Sequence, residues 1–502
     1  MSDPADNPAD NPADKPAEGL AAVARRAREL IPEPGVISDH QRLRTYECDG
    51  LAHYRVTPGL VVIPEDVAQL AAVVQACAEH GVPFVARGSG TGLSGGALPH
   101  ADGVLVVTSR MRAIREVRPE DQRAVVEPGV INLDVTRAAT PHGYYYAPDP
   151  SSQQICSIGG NVAENSGGAH CLKYGFTTNH VLAAELVTPQ GEVVRLGSAA
   201  PDAPGYDLLG AVIGSEGTLG IVTAVTVRLV RLPEEVRTLL VGFESTDQAG
   251  AATSAIIAAG IVPAAIEMMD ALAIEAAEAA VQCGYPEGAG AVLVIELDGA
   301  AVEVGQEYDE VDRLCRENGA FGQRLATDPA ERALIWKGRK SAFAAVGRIS
   351  PDYIVQDGVI PRTALPEVLR AIADLSGTSG VRVANVFHAG DGNLHPLVLF
   401  DDSVEGAGEA AEKVSGAILD LCIEHGGSIT GEHGVGVDKA KYMPRMYDDD
   451  DLDTMQLVRC AFDPDNISNP GKVFPTPRLC GEVPGRRQGV HPLQDAGLAE
   501  VF

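Results

Sequence analysis

At 502 residues the chain is too long for one compact core, so two or three domains are expected. A net charge of -30 excludes a nucleic-acid partner and direct adhesion to an anionic membrane, and an anionic substrate would need local cations to offset that field. Apolar content is ordinary at 45%, no run is long and apolar enough to span a bilayer, and Met1 is followed by Ser2, Asp3 and Pro4 rather than by a signal peptide, so a cytoplasmic location is expected.

The first 18 residues repeat Pro-Ala-Asp with few apolar positions, the composition of a disordered tail. An amphipathic helix is expected from about Leu20 to the Pro32-Glu33-Pro34 stop. A second is expected to open at Pro64, with Glu65 and Asp66 complementing its dipole, an apolar face of Val67, Leu70, Val73, Val74 and Cys77, and a stop at Gly81. A strand over 83–86 then leads into Arg87, Gly88, Ser89, Gly90, Thr91, Gly92, Leu93, Ser94 and Gly95. Glycines let backbone N–H groups converge on a close ligand, and the hydroxyls add donors, so the loop suits a pyrophosphate. It matches neither the Walker nor the Rossmann spacing, and by itself it reads equally as a flexible surface loop. Strands follow over 103–107 and 124–126.

Two further clusters carry the same texture. One comprises Pro148, Asp149 and Ser152, then Gly159, Gly160, Asn161, Asn165 and Gly168; the other is 214–222, with Glu216, Gly220 and Val222. Three such clusters beside strands suggest one extended cofactor held along its length, the alternative being ordinary loops. Beyond Pro233, strand-like runs (239–241, 291–295) alternate with Ala/Glu-rich helices (246–259, 301–317), the mark of a second domain from about 235. The stretch after Phe474 has no apolar period and is expected to be loosely ordered.

His388 and His395 follow an expected strand over 381–386, and the Gly-Asp-Gly-Asn between them forces a turn that can fold both imidazoles toward one point. Glu432 and His433 follow an expected helix, 413–425, and a short strand. Two imidazoles and a carboxylate suit a divalent metal such as Zn, Mn or Fe, against the alternative of ordinary structural histidines. Arg339 and Arg348 offer planar forks for a carboxylate, or else form a solvated basic helix face. The nine cysteines contain no Cys-x-x-Cys, so no iron–sulfur cluster is encoded, reduced thiols are the default, and electrons would leave to another carrier.

The segments 87–96, 157–161, 214–220, 388–395 and 431–436 together resemble FAD-linked oxidases of the vanillyl-alcohol oxidase class, most closely the glycolate-oxidising branch, to which 46–51 and 347–353 are also similar. The resemblance covers about residues 40–475. It implies an α+β fold: a two-part FAD-binding domain of the PCMH type over 19–234, an α+β substrate- and metal-binding cap over 235–455, and a segment 456–475, carrying Asn469, that returns to the flavin. It further implies His388, His395 and Glu432 as metal ligands, His433 as base and Arg339 as substrate-carboxylate binder. Members joined covalently to FAD through the glycine loop carry a histidine there; none lies between Arg87 and Ala97, so the FAD is expected to be non-covalent. Phe343 and Val355 stand where 2-hydroxyglutarate dehydrogenases are polar or basic, which favours a small monocarboxylate, glycolate or D-lactate, oxidised to the 2-oxo acid. The resemblance leaves room for iron–sulfur and second FAD subunits as partners, for peripheral membrane association through them, and for a homodimer. A flavin-free metallohydrolase and a non-catalytic flavoprotein scaffold remain the rival readings.

Overall fold

The computed structural model describes residues 15–200 and 204–475; the expectations for residues 1–14 and 476–502 lie outside these. The first helix, Lys15–Leu30, begins inside the expected tail, because Leu20, Val23, Ala24 and Ala27 give it an apolar face to bury. The second runs Val67–His80, three residues later than expected at its start. Asp66 is its N-cap, accepting from Gln69 N–H, and Gly81 ends it in the left-handed conformation. Both helices cover a four-stranded sheet in which Leu60–Val62, Val104–Val107 and Phe84–Arg87 run parallel and Val36–Ile37 adds an antiparallel edge. Leu70, Val73 and Val74 meet Val62, Phe84 and Val106 in that core. Each such side chain contributes about 1.5–3 kcal/mol by leaving water.

A five-stranded antiparallel sheet follows, ordered Ile114–Arg118, Arg123–Val126, Ile221–Arg228, Val181–Val187, Val193–Gly197. The second glycine cluster is not a loop throughout: Ile158–Glu164 is a helix, because Ile158 and Val162 pack on this sheet among Leu186 and Val225, and Asn165 ends it in the left-handed region.

From Glu235 the chain builds another sheet. Its centre is Glu235–Phe243, Ala291–Gly299, Ala265–Asp270 and Val383–His388, paired antiparallel in that order. Both faces are buried. Leu239, Val241 and Phe243 meet one set of helices, while Leu240 faces the opposite core with the helices Ala271–Val281 and Pro329–Val346. The strand expected at 381–386 is thus shifted to end on His388, and the helix expected at 413–425 spans Ala407–Glu424. No strand precedes Thr430; Ser428 makes only an isolated bridge with Val359. The helix Asp449–Phe462 leads into a segment that returns to the first sheet, where Ser468 bridges Phe84 and Asn469 N–H donates to the Phe84 carbonyl.

Seven described cysteines are free, whereas Cys460 is disulfide-bonded, so the reduced-thiol default does not hold at that position. No helix of the described residues is long and apolar enough to cross a membrane.

Candidate functional site

The three glycine clusters line one cavity. Arg87, Gly88, Ser89, Gly90, Thr91, Gly92 and Leu93 line it from the first cluster; Ser152, Gly159, Gly160 and Asn161 from the second; Glu216, Gly220 and Val222 from the third; and Glu432 and His433 line it too. The strand Phe84–Arg87 aims the first loop, and the helix Ile158–Glu164 supplies the second wall from its first turn. At Gly92 an added Cβ would project into open space, with only Glu164 Oε1 at 3.8 Å. This wall is backbone that a ligand can approach closely, which suits an extended phosphate-bearing cofactor.

The other expected cofactor residues brace these walls. The buried Arg87 guanidinium donates to the carbonyls of Tyr46, Cys48 (2.6 Å) and Ala97, so it staples both ends of the loop. Ser94 accepts from Val437 and Asp438 N–H through its carbonyl, and Gly95, at φ +75°, lies against Val437. Pro148 accepts from Asn132, and Asn165 accepts from Thr178 N–H. A Cβ at Gly168 would run into Asp149. Asn469 donates to the carbonyls of Gly96 (2.9 Å) and Glu216 (2.6 Å), which ties the first cluster to the third. The Glu216 carboxylate accepts from Val435 and Gly436 N–H, which fixes the chain just after His433 against the same cavity.

Around Glu432 four side chains converge. Glu432 Oε1 lies 3.0 Å from His395 Nε2, 3.4 Å from His388 Nε2 and 3.7 Å from His433 Nε2. His388 is the last residue of its strand, and the hairpin that pairs it with Asn393 brings His395 back edge-on at 4.9 Å between ring centroids. His433 stacks on His395 at 5.0 Å. The two imidazoles hold the Glu432 carboxyl well below its usual range despite burial, and Glu267 with Glu432 raises His388 well above its own. Burial pushes His433 down to about 4.

The set fits a cation. His395 is buried with no hydrogen-bond partner at Nδ1 and only the ill-directed 3.0 Å contact with Glu432 at Nε2, and His433 Nδ1 is likewise unpartnered. Ligand atoms about 2.1 Å from a tetrahedral ion stand about 3.4 Å apart, close to the 3.4 and 3.0 Å that separate Glu432 Oε1 from His388 Nε2 and His395 Nε2. The ligand atoms that all lie within 4.8 Å of one another are those of Asp357, His395, Glu432 and His433; the expected ligand His388 is not of that set and reaches it through Glu432. Asp357 Oδ2 is engaged by the turn, whereas Oδ1 takes only a longer bond from Glu432 N–H and lies 3.7 Å from His395 Nδ1. Fully buried, Asp357 accepts from Thr430 Oγ1 and from the N–H groups of Gly431, Glu432 and His433, and Lys439 Nζ sits 3.3 Å away. Asp357 is therefore the anchor of the turn that presents Glu432 and His433.

Arg339 is brought to the cluster and Arg348 is not. Arg339 is 4% exposed, pairs with Glu267 Oε2 at 2.6 Å, keeps Nε unpartnered and lies over Phe343. Phe343 in turn meets His395 edge-on. Arg348 is exposed and donates to the Ala279 carbonyl, away from these residues, because it follows the last turn of the helix that carries Arg339. Glu267, Asp357 and Lys439 were missed in the sequence; each stands alone in an apolar or ordinary segment, and only the second half of the Gln356-Asp357-Gly358 break hinted at a turn.

A polar junction joins the two halves beside this site. His170 bridges Asp149 (2.9 Å) and Glu296 (3.2 Å), and Glu296 also accepts from Arg332, Trp336 and Thr238. Burial alone would depress His170, but the two carboxylates hold it up at about 10.

Both halves of the chain resemble known proteins. Residues 232–473 match the family model for FAD linked oxidases, C-terminal domain, and residues 58–197 match an FAD binding domain. The chain is 51% identical over 461 residues to glycolate oxidase subunit GlcD of Escherichia coli strain K12, covering 92% of each chain. It is 40% identical over 430 residues to glycolate oxidase subunit GlcD of Bacillus subtilis, covering 86% of this chain and 92% of that one. Among solved structures, 4-ethylphenol oxidase from Gulosibacter chungangensis has the same fold, with a TM-score of 0.76 at 18% identity over 92% of this chain and 98% of that one.

Proposed function

The chain belongs to the FAD-linked oxidase family, and from that premise we propose that it oxidises a small 2-hydroxy acid, glycolate or D-lactate, to the 2-oxo acid. One observation carries the reading: the cavity lined by three glycine clusters is also lined by Glu432 and His433, so a flavin held along the glycines would lie beside the proposed base. FAD, bound non-covalently, would supply a two-electron acceptor, and a divalent ion, which His388, His395 and Glu432 would hold, would supply a Lewis acid. In this reading residues 19–234 and 456–475 form the flavin side and 235–455 the substrate side.

The remaining work falls to side chains. His433 takes the hydroxyl proton; burial keeps its imidazole neutral at pH 7, so a nitrogen lone pair is available. Asp357 holds the His433 backbone N–H and thereby aims the ring. Arg339 offers its unpartnered edge to the substrate carboxylate while Glu267 holds its other side. Phe343 lies against both Arg339 and His395, and Val355 packs on the same core as Phe343; neither offers a charge to a second carboxylate, which suits a substrate with one carboxylate and a short chain. The described residues contain no Cys-x-x-Cys, so electrons go on to an external acceptor, an iron–sulfur or second FAD subunit of a glycolate oxidase-like complex that would also place the chain at a membrane face.

Anaerobic mixing of the purified protein with a panel of 2-hydroxy acids tests the proposal. Flavin absorbance near its visible maximum should bleach with glycolate or D-lactate and persist with 2-hydroxyglutarate. A flavin that no 2-hydroxy acid bleaches would sink it. Acid precipitation should release all the yellow colour into the supernatant.

A further inference from the structure

We infer that Glu267 is a positioning residue that sets carboxylate capture and the ligand-facing imidazole together, by holding Arg339 on one oxygen and His388 on the other. The inference rests on the roles proposed above for those two residues.

Glu267 lies mid-strand in Ala265–Asp270, directly opposite His388 on the neighbouring antiparallel strand. Residues opposed in this way have Cβ atoms about 4.5–5.5 Å apart, so their side chains meet on one face. Glu267 is 1% exposed, in a sheet whose neighbouring positions are Ile266 and Met268. Nothing in the strand's apolar pattern calls for a carboxylate there, and a buried ion is costly unless it is paired.

Its pairing is divided. Oε1 lies 2.7 Å from His388 Nδ1, so Nδ1 carries a proton that it donates to Glu267, and the ring is turned so that Nε2 meets Glu432 Oε1 at 3.4 Å. A carboxylate behind a ligating histidine fixes both its tautomer and its rotation. Oε2 lies 2.6 Å from Arg339 Nη2, and the guanidinium reaches Glu267 from the helix Pro329–Val346. A purely structural ion pair would saturate its members. Here each partner turns a second polar edge away from Glu267: Nε of Arg339 has no partner, and Nε2 of His388 meets the Glu432 carboxylate of the ligand cluster. Phe343, between Arg339 and His395, closes the apolar side of the same space. One carboxylate thus fixes the relative position of two groups that come from different elements.

Glu267→Gln tests this with little change of shape. The amide oxygen can accept from only one of the two donors, and the amide N–H₂ must face the other. The purified holoprotein should keep its flavin and its thermal midpoint close to wild type. Zinc or manganese affinity, titrated calorimetrically on metal-stripped protein, should fall about 10–100-fold. KM for the preferred hydroxy acid, and the dissociation constant of oxalate read from the flavin spectrum, should rise about tenfold. Glu267→Asp keeps the charge but is one methylene short, so it should spare one of the two quantities and not both. A Gln variant with wild-type metal affinity and wild-type KM overturns the proposal, as does one in which only a single quantity moves. Loss of thermal stability with neither quantity changed, in the Asp as well as the Gln variant, also overturns it. Wild-type metal content and the KM of Arg339→Ala are measured first. A wild type without metal, or an Arg339→Ala with unchanged KM, brings down the site reading and this inference with it. A metal-binding wild type with an indifferent Gln variant overturns this inference alone.

Discussion

The glycine-rich wall and the histidine-rich cluster are built by different means. At 88–92, 159–161 and 216–222 the surface is backbone and small side chains, braced from behind by Arg87 and Asn469. At 388–395 and 432–433 it is four convergent charged or ionisable groups, aimed from behind by Glu267 and Asp357. The first wall works by leaving room, so it fails when a side chain fills that room. The second works by direction and charge, so it fails when a partner is lost even if the volume is kept.

The largest expected effect follows from the first half of that contrast. Gly92→Val puts a branched side chain into open cavity, with no neighbour close enough to force the backbone to move. The variant should fold with a normal circular dichroism spectrum and thermal transition, yet purify colourless, with the ratio of flavin to protein absorbance near zero. A yellow variant would mean the loop does not face the cofactor.

On the other wall the effect should be on rate. His433→Ala should lower kcat by about 10²–10⁴-fold and retain flavin, the range typical of a lost general base. Metal content must be read in the same samples, because Glu432 is adjacent. Flavin reduction at the wild-type rate with metal retained would show that another residue is the base.

Smaller in scope is the loss of one ligand. His395→Ala, or chelation of the wild type, should lower metal content and turnover while flavin absorbance is unchanged, since none of the glycine wall depends on His395. Activity unaffected by chelation in a protein that analysis shows to be metal-free would remove the metal from the scheme.

The smallest expected effect concerns the junction between the two regions. His170 has a folded pKa raised from 6.5 to about 10 by Asp149 and Glu296. A group bound more tightly to its proton in the folded state stabilises below its unfolded pKa and loses that contribution as pH rises. The wild-type thermal midpoint should therefore fall gradually between about pH 6.5 and 10, and His170→Asn should flatten that slope. Parallel slopes in the two proteins would show that the bridge does not contribute.

The chain itself carried much of this. Glycine runs, and the turn between His388 and His395, dictate backbone conformation from within a few residues, so the cavity walls and the His388, His395, Glu432 and His433 set were legible without coordinates. Local patterns misjudged ends rather than elements. Asp66 capped a helix assigned to Pro64, and the wall at 158–164 coiled into a helix because Ile158 and Val162 had a sheet to pack on. What only the tertiary structure decided is which single residues stand behind the site. Glu267 and His388 are 121 positions apart and Asp357 and His433 are 76 apart, and their contacts exist because sheet register and a buried turn bring distant segments together. The same packing turned Arg339 inward onto Glu267 and left Arg348, nine residues on, at the surface. A lone carboxylate or guanidinium has no local signature of its partner, because the free energy that justifies burying it comes from a charge elsewhere in the chain.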